Sequence, residues 1–176
     1  MAHMPDTYIL LAMAFVACLS LRTGYEGLKE AGKIDPENKL IFAGIFTVMS
    51  VLWISWFLLC PRDPYAMTLP SWVHLGGRAV FLTGMILAVG AFLQLRALEN
   101  VKHLVTNRFF SRLRHPMYTG FILWIIGWSV YHGAMLSLLI GCLGIANIFY
   151  WRRLEDARLL LQHGEAYREY SRKTWF

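Results

Sequence analysis

Residues 115–151 read HPMYTGFILWIIGWSVYHGAMLSLLIGCLGIANIFYW, with no Asp, Glu, Lys or Arg in 37 positions. At about 1.5 Å rise per residue, one helix of that length would run about 55 Å. A bilayer's hydrocarbon core is only about 30 Å thick. Tyr131-His132-Gly133 lies near the middle and supplies an interfacial aromatic, a polar residue and a turn residue. The stretch therefore predicts two helices joined by a tight hairpin.

Three further apolar blocks lie upstream. Leu40–Pro61 carries no charge between Lys39 and Arg62, and residues 79–95 and 7–21 are also free of charged side chains. The first block has no basic region before it and no small-x-small site after it, so it reads as a retained helix and not a signal peptide. A core of 176 residues hides one such helix at most. The expectation is an all-α polytopic membrane protein with five membrane helices, the fourth and fifth forming the hairpin, and a helical cytoplasmic tail. Residues 1–95 form a three-helix membrane region and residues 96–176 a ligand-binding region.

Composition agrees. Apolar residues make up 57% of the chain and charged ones 16%, against roughly 45–50% and ~25% in soluble domains. A disordered chain is excluded. Cys18, Cys60 and Cys142 form no CxxC or Cys/His pair, so neither a disulfide framework nor a metal site is expected.

Fifteen of the seventeen Lys and Arg residues fall between helices one and two, between helices three and four, or after helix five. The positive-inside rule then puts the N-terminus outside and the C-terminus in the cytoplasm. That asymmetry accounts for the net charge of +6 without nucleic acid. It also favours contact with anionic membrane lipids.

Two cytoplasmic segments are chemically dense. Residues 96–118 read RALENVKHLVTNRFFSRLRHPMY. Pro116 suits the first position of a helix. The amides of Met117, Tyr118 and Thr119 then point unpaired at the interface, where they can bind a carboxylate or a ribose oxygen. The alternative is that Arg112 and Arg114 hold lipid headgroups. After helix five, Glu155 and Asp156 sit beside Arg152 and Arg153. They form either a solvated ion-pair cluster or a site for a cationic or hydroxyl-rich ligand. Asp35-Pro36-Glu37 reads as the start of helix two, and residues 22–39 otherwise as a plain connection.

The string Arg114-His115-Pro116-Met117-Tyr118-Thr119-Gly120, a hairpin, Glu155-Asp156, and then Gly164-Glu165-Ala166-Tyr167-Arg168-Glu169-Tyr170 resembles a known group of enzymes. They are the isoprenylcysteine carboxyl methyltransferases and phospholipid methyltransferases of membranes. The resemblance covers residues 102–170. It implies S-adenosylmethionine as cofactor at the cytoplasmic face and a lipophilic acceptor (carboxylate, amine or thiol) entering from the bilayer. Carried over, Lys102, His103, Leu104, Val105, Phe110, His115, Pro116, Met117, Tyr118, Glu155 and Asp156 line the cofactor pocket, and His115 and Arg152 take catalytic roles. Phe110 stands where the family usually has Tyr, and Arg108 where it has Gly. The family's acceptor-facing Arg aligns with Trp151, and Arg152 lies one residue on, about 100° around the helix. Two alternatives remain: an NADPH-dependent reductase related to sterol reductases, and a non-catalytic binding module.

Overall fold

The computed structural model describes residues 6–35, 38–97 and 104–176. Six helices follow in order: α1 (Asp6–Glu30), α2 (Lys39–Leu59), α3 (Ser71–Ala97), α4 (Pro116–His132), α5 (Met135–His163) and α6 (Glu165–Lys173). Short 3₁₀ turns at Cys60–Arg62 and Arg108–Ser111 join them. Among the described residues four segments are long and apolar enough to cross a membrane: Asp6–Glu30, Lys39–Arg62, Ser71–Leu95 and Met135–His163. The chain is a polytopic membrane protein. The sequence led to an expectation of five such helices; the difference is α4, which has 17 residues. Pro116 opens it and Gly133, at φ +63°, closes it.

Two boundaries differ from expectation. The connection after residue 21 is not a loop, because α1 continues to Glu30. Arg22 and Lys29 both pair with Glu26 one turn away, and nothing breaks the helix before Gly32 at φ +66°. Helix α2 is capped by Asn38, whose Oδ1 accepts from the Leu40 and Ile41 amides at 2.9 and 3.4 Å. Pro36 and Glu37 lie outside the described residues.

Helices α3 and α4 meet backbone to backbone. A Cβ on Gly84 would stand 2.8 Å from the Gly120 carbonyl, and one on Gly77 would stand 2.6 Å from the Tyr131 amide. Glycines seven apart on both helices (Gly77 and Gly84, Gly120 and Gly127) thus form a close-packed seam. On the other side Phe15 of α1 stacks obliquely on Trp56 of α2 at 4.9 Å, and both are fully buried. Ile125 of α4 and Ile148 of α5 complete that core. At the expected outer face, Asp63 fixes the start of α5. Its Oδ2 accepts from the Ser137 amide at 2.6 Å, and its Oδ1 from the Tyr65 amide at 2.8 Å.

Candidate active site

His115 caps α4 with its ring buried, 4% exposed. Its Nε2 lies 2.7 Å from Asp156 Oδ1. A carboxylate only accepts, so Nε2 carries a proton, and in the neutral form of the ring the lone pair sits on Nδ1. Nδ1 faces Glu155 Oε2 at 3.9 Å. The ring also stacks on Tyr118 at 5.5 Å. His115, Tyr118, Glu155 and Asp156, 41 residues apart at the extremes, thus form one cluster at the junction of α4 and α5.

Asp156 is its hub. Tyr167 of α6 donates to the same Oδ1, Arg114 Nη1 lies 3.8 Å from it, and Arg152 Nε lies 3.4 Å from Oδ2. Burial and the Asp156 carboxylate push the Tyr167 phenol well above its ordinary range. The second tyrosine of the motif acts on the loop instead. Tyr170 donates to the Phe110 carbonyl at 2.6 Å, and burial raises its phenol to about 12. The Trp175 amide donates to the Arg112 carbonyl at 2.8 Å, and the Arg114 amide to the Trp175 carbonyl at 3.0 Å. The C-terminal segment therefore clamps residues 108–114.

From the membrane side, Gln94 of α3 holds the same loop. Its Nε2 donates to Asn107 Oδ1 at 2.7 Å, and its Oε1 accepts from the Phe109 amide at 3.3 Å. Between these anchors Arg108 adopts φ +50°. The glycine-like backbone thus persists at the position where the sequence departs from glycine. Leu104, Val105 and Phe110 are half-buried in this loop. Lys102 and His103 lie outside the described residues. Of the three amides expected to be free at the start of α4, Thr119 donates to the His115 carbonyl at 3.0 Å. The helix's first turn closes there, leaving Met117 and Tyr118.

A second feature adjoins the cluster. A cavity of about 540 Å³ lies among α2, α3 and α4, walled by Phe46, Met49 and Trp53, by Ala88 and Phe92, and by Met117, Tyr118 and Phe121. Its rim includes the exposed Phe46 of α2 and Val89 and Phe92 of α3. The buried Trp151 and the half-buried Arg22 also line it. Arg152 points elsewhere: its guanidinium covers the Phe176 ring at 4.5 Å and faces Asp156. The 100° step between neighbouring helical residues separates the two.

Arg22, Thr23 and Gln94 received no role from the sequence. Trp151 Nε1 donates to Thr23 Oγ1 at 3.2 Å, and Thr23 donates to Asn147 Oδ1 at 2.6 Å. Gln94 and Asn147, polar residues inside apolar runs, were the available signal. For Arg22 there was none beyond its charge at the end of an apolar block.

Fold and site together define a membrane protein in which an apolar cavity between helices meets a polar cluster at a helix start. The pattern of the phospholipid methyltransferase family matches residues 72–165, more than half of the chain, and the chain belongs to that family. The family consists of S-adenosylmethionine-dependent membrane methyltransferases. The chain is also 33% identical over 78 residues to the protein-S-isoprenylcysteine O-methyltransferase of Schizosaccharomyces pombe. That match takes in 43% of this chain and 33% of the yeast protein, so it spans about a third of the relative's length. No solved structure matches. The family match includes α3, α4 and α5, while Arg22, Tyr167 and Tyr170 lie outside it.

Proposed function

We propose that this protein transfers a methyl group from S-adenosylmethionine to a lipophilic acceptor that enters its apolar cavity from the bilayer. One observation carries the reading: Met117 and Tyr118 belong both to the polar helix start and to the cavity wall. Cofactor and acceptor therefore meet at the same two residues. Family membership favours the methyltransferase over a reductase or a binding module.

The residues present fit the cofactor. The amides of Met117 and Tyr118 at the start of α4 suit its carboxylate. Glu155, with its carboxylate 41% exposed, suits its ammonium or ribose hydroxyls. The buried Nε of Arg114 has no hydrogen-bond partner among the described residues and suits a further oxygen. The rings of Tyr118 and Trp151 flank the place where a sulfonium gains from cation–π attraction. The cofactor supplies an electrophilic methyl group, so the protein's task is alignment more than acid–base work. His115 Nδ1 takes the proton where the acceptor is an amine or a thiol; a carboxylate needs no base. Arg152 holds Asp156, which in turn holds His115.

In the bilayer we place the N-terminus outside and the polar cluster in the cytoplasm, from the charge asymmetry. Helix α4, at about 25 Å, is the fifth crossing, at the short end of the spanning range. Its glycine seam on α3 supports that placement.

Calorimetric titration of the full chain in detergent tests the proposal. S-adenosylmethionine and S-adenosylhomocysteine should both bind in the micromolar range, and NADPH should not. Folded protein that binds neither of the first two overturns it.

A further inference from the structure

We propose that α3 carries a dock for residues 107–111, and that Gly90 and Gln94 in this dock are positioning residues for the cofactor, acting on it through Phe110. The methyltransferase reading enters in one respect only: it makes Phe110 a wall of the cofactor pocket.

The two parts of the dock lie one turn apart on one face of α3. The first is a notch. A Cβ on Gly90 would stand 2.6 Å from Cε2 and 3.0 Å from Cε1 of the Phe109 ring, and closer still to Cζ. The ring therefore fills the space that any larger residue would need for itself. Gly90 lies two residues, about 200° of helix, from both Ala88 and Phe92, which wall the cavity. The notch and the cavity thus use different faces of the same helix.

The second part is the amide of Gln94, which is 8% exposed. An amide buried in a membrane helix is costly unless it is hydrogen-bonded. Here Nε2 donates to the Asn107 carbonyl at 3.1 Å and to Asn107 Oδ1 at 2.7 Å, and Oε1 accepts from the Phe109 amide at 3.3 Å. Both ends of the amide serve the loop. They grip the residues on either side of Arg108, whose φ is +50°. A non-glycine residue keeps such a conformation only where its surroundings over-determine it.

Phe110 comes next in the chain. Its amide closes a turn on the Asn107 carbonyl at 3.0 Å, and its carbonyl accepts from Tyr170 at 2.6 Å. Its place is therefore set by α6 on one side and, through Asn107, by Gln94 on the other. A loop that is fixed before its ligand arrives binds without the cost of being ordered.

Full-chain protein in detergent gives two readouts. Calorimetry follows S-adenosylmethionine, and trypsin follows the loop, because Arg108 and Arg112 are exposed. Gly90→Ala should weaken S-adenosylmethionine at least five-fold and speed cleavage after Arg108 or Arg112. Alanine is the better helix former, so a merely structural role for Gly90 would leave affinity alone and raise the melting temperature. Gln94→Met keeps the length without the amide and should weaken the cofactor and expose the loop to the same degree. Gly76→Ala, on the same helix with open space around it, should change neither readout. The double variant Gly90→Ala/Phe109→Leu should recover affinity to within about two-fold of the parent, because leucine lacks the ring atoms that the new Cβ strikes. Parent-like affinity in both Gly90→Ala and Gln94→Met overturns the proposal, whatever happens to cleavage. So does a loss in Gly90→Ala that Phe109→Leu does not repair. A parent protein that binds no S-adenosylmethionine, yet whose loop is cleaved faster in both variants, refutes the methyltransferase reading instead and leaves the dock standing.

Discussion

Asp156 Oδ1 accepts from both His115 Nε2 and the Tyr167 phenol, and so ties the start of α4 to α6 through one carboxylate oxygen. Removing its charge removes two charge-assisted hydrogen bonds at once. Each such bond contributes about 1.5–3 kcal/mol. Asp156→Asn keeps the shape and loses the charge. It is expected to lower the melting temperature by several degrees and to weaken S-adenosylmethionine at least five-fold, because His115 loses the partner that sets its tautomer. Tyr167→Phe should cause part of the melting loss with little change in affinity. Equal, unperturbed binding in Asp156→Asn would show that the cluster is structural only.

Arg108 is a separate case, because its backbone and its side chain disagree. At φ +50° a non-glycine residue carries roughly 1–2 kcal/mol of strain. The side chain is exposed, so nothing is lost by deleting it. Glycine costs about 0.5–1 kcal/mol in unfolded-chain entropy. Arg108→Gly should therefore stabilise the protein by about 0.5–1 kcal/mol. A melting temperature that falls in this variant would mean that the arginine makes a contact worth more than the strain.

The α3–α4 seam predicts a contrast between two glycines on one helix. A Cβ at position 84 meets the Gly120 carbonyl at 2.8 Å and the Trp124 ring at 2.8 Å, while one at position 76 meets nothing within 4 Å. Overpacking typically costs about 1–3 kcal/mol. Gly84→Ala should therefore melt well below the parent protein, and Gly76→Ala should match or exceed it. Equal melting of both would place the helices farther apart than the seam requires.

The membrane helices were legible because charge-free blocks of bilayer length admit few other readings. The helix start at His115-Pro116 was legible for a local reason: Pro at the first position and an acid pair a hairpin later. What failed was equally physical. Residues 22–30 carry four charges and read as a loop, yet three of them form pairs one turn apart that extend α1. Thr23 and Trp151 lie 128 residues apart, and no spacing rule joins them. Arg22 reaches the cavity only because α1 runs on beside α5, so its place could not be read from one dimension. The glycine seam sat in plain view as a seven-residue spacing, but the sequence does not say which neighbour the glycines face.

Tyr170 couples the C-terminal segment to the loop in a way that pH can dissect. Its phenol donates to the Phe110 carbonyl at 2.6 Å, and burial holds its pKa at about 12 against an ordinary 10.0. A folded-state pKa above the unfolded one means that the unfolded chain loses its proton first. The stabilisation is fully present below about pH 10 and declines as pH rises toward 12. Tyr170→Phe deletes the donor and leaves a half-buried carbonyl unsatisfied, at a cost of about 1–2 kcal/mol near neutrality. The melting difference between the parent protein and Tyr170→Phe should be constant from pH 7 to 9 and shrink steadily between about pH 10 and 12. A difference that does not shrink would show that Tyr170 acts through packing of its ring and not through its hydroxyl. Because that hydroxyl holds the loop carrying Phe110, Tyr170→Phe should also weaken S-adenosylmethionine several-fold at pH 7.5, where ionisation plays no part.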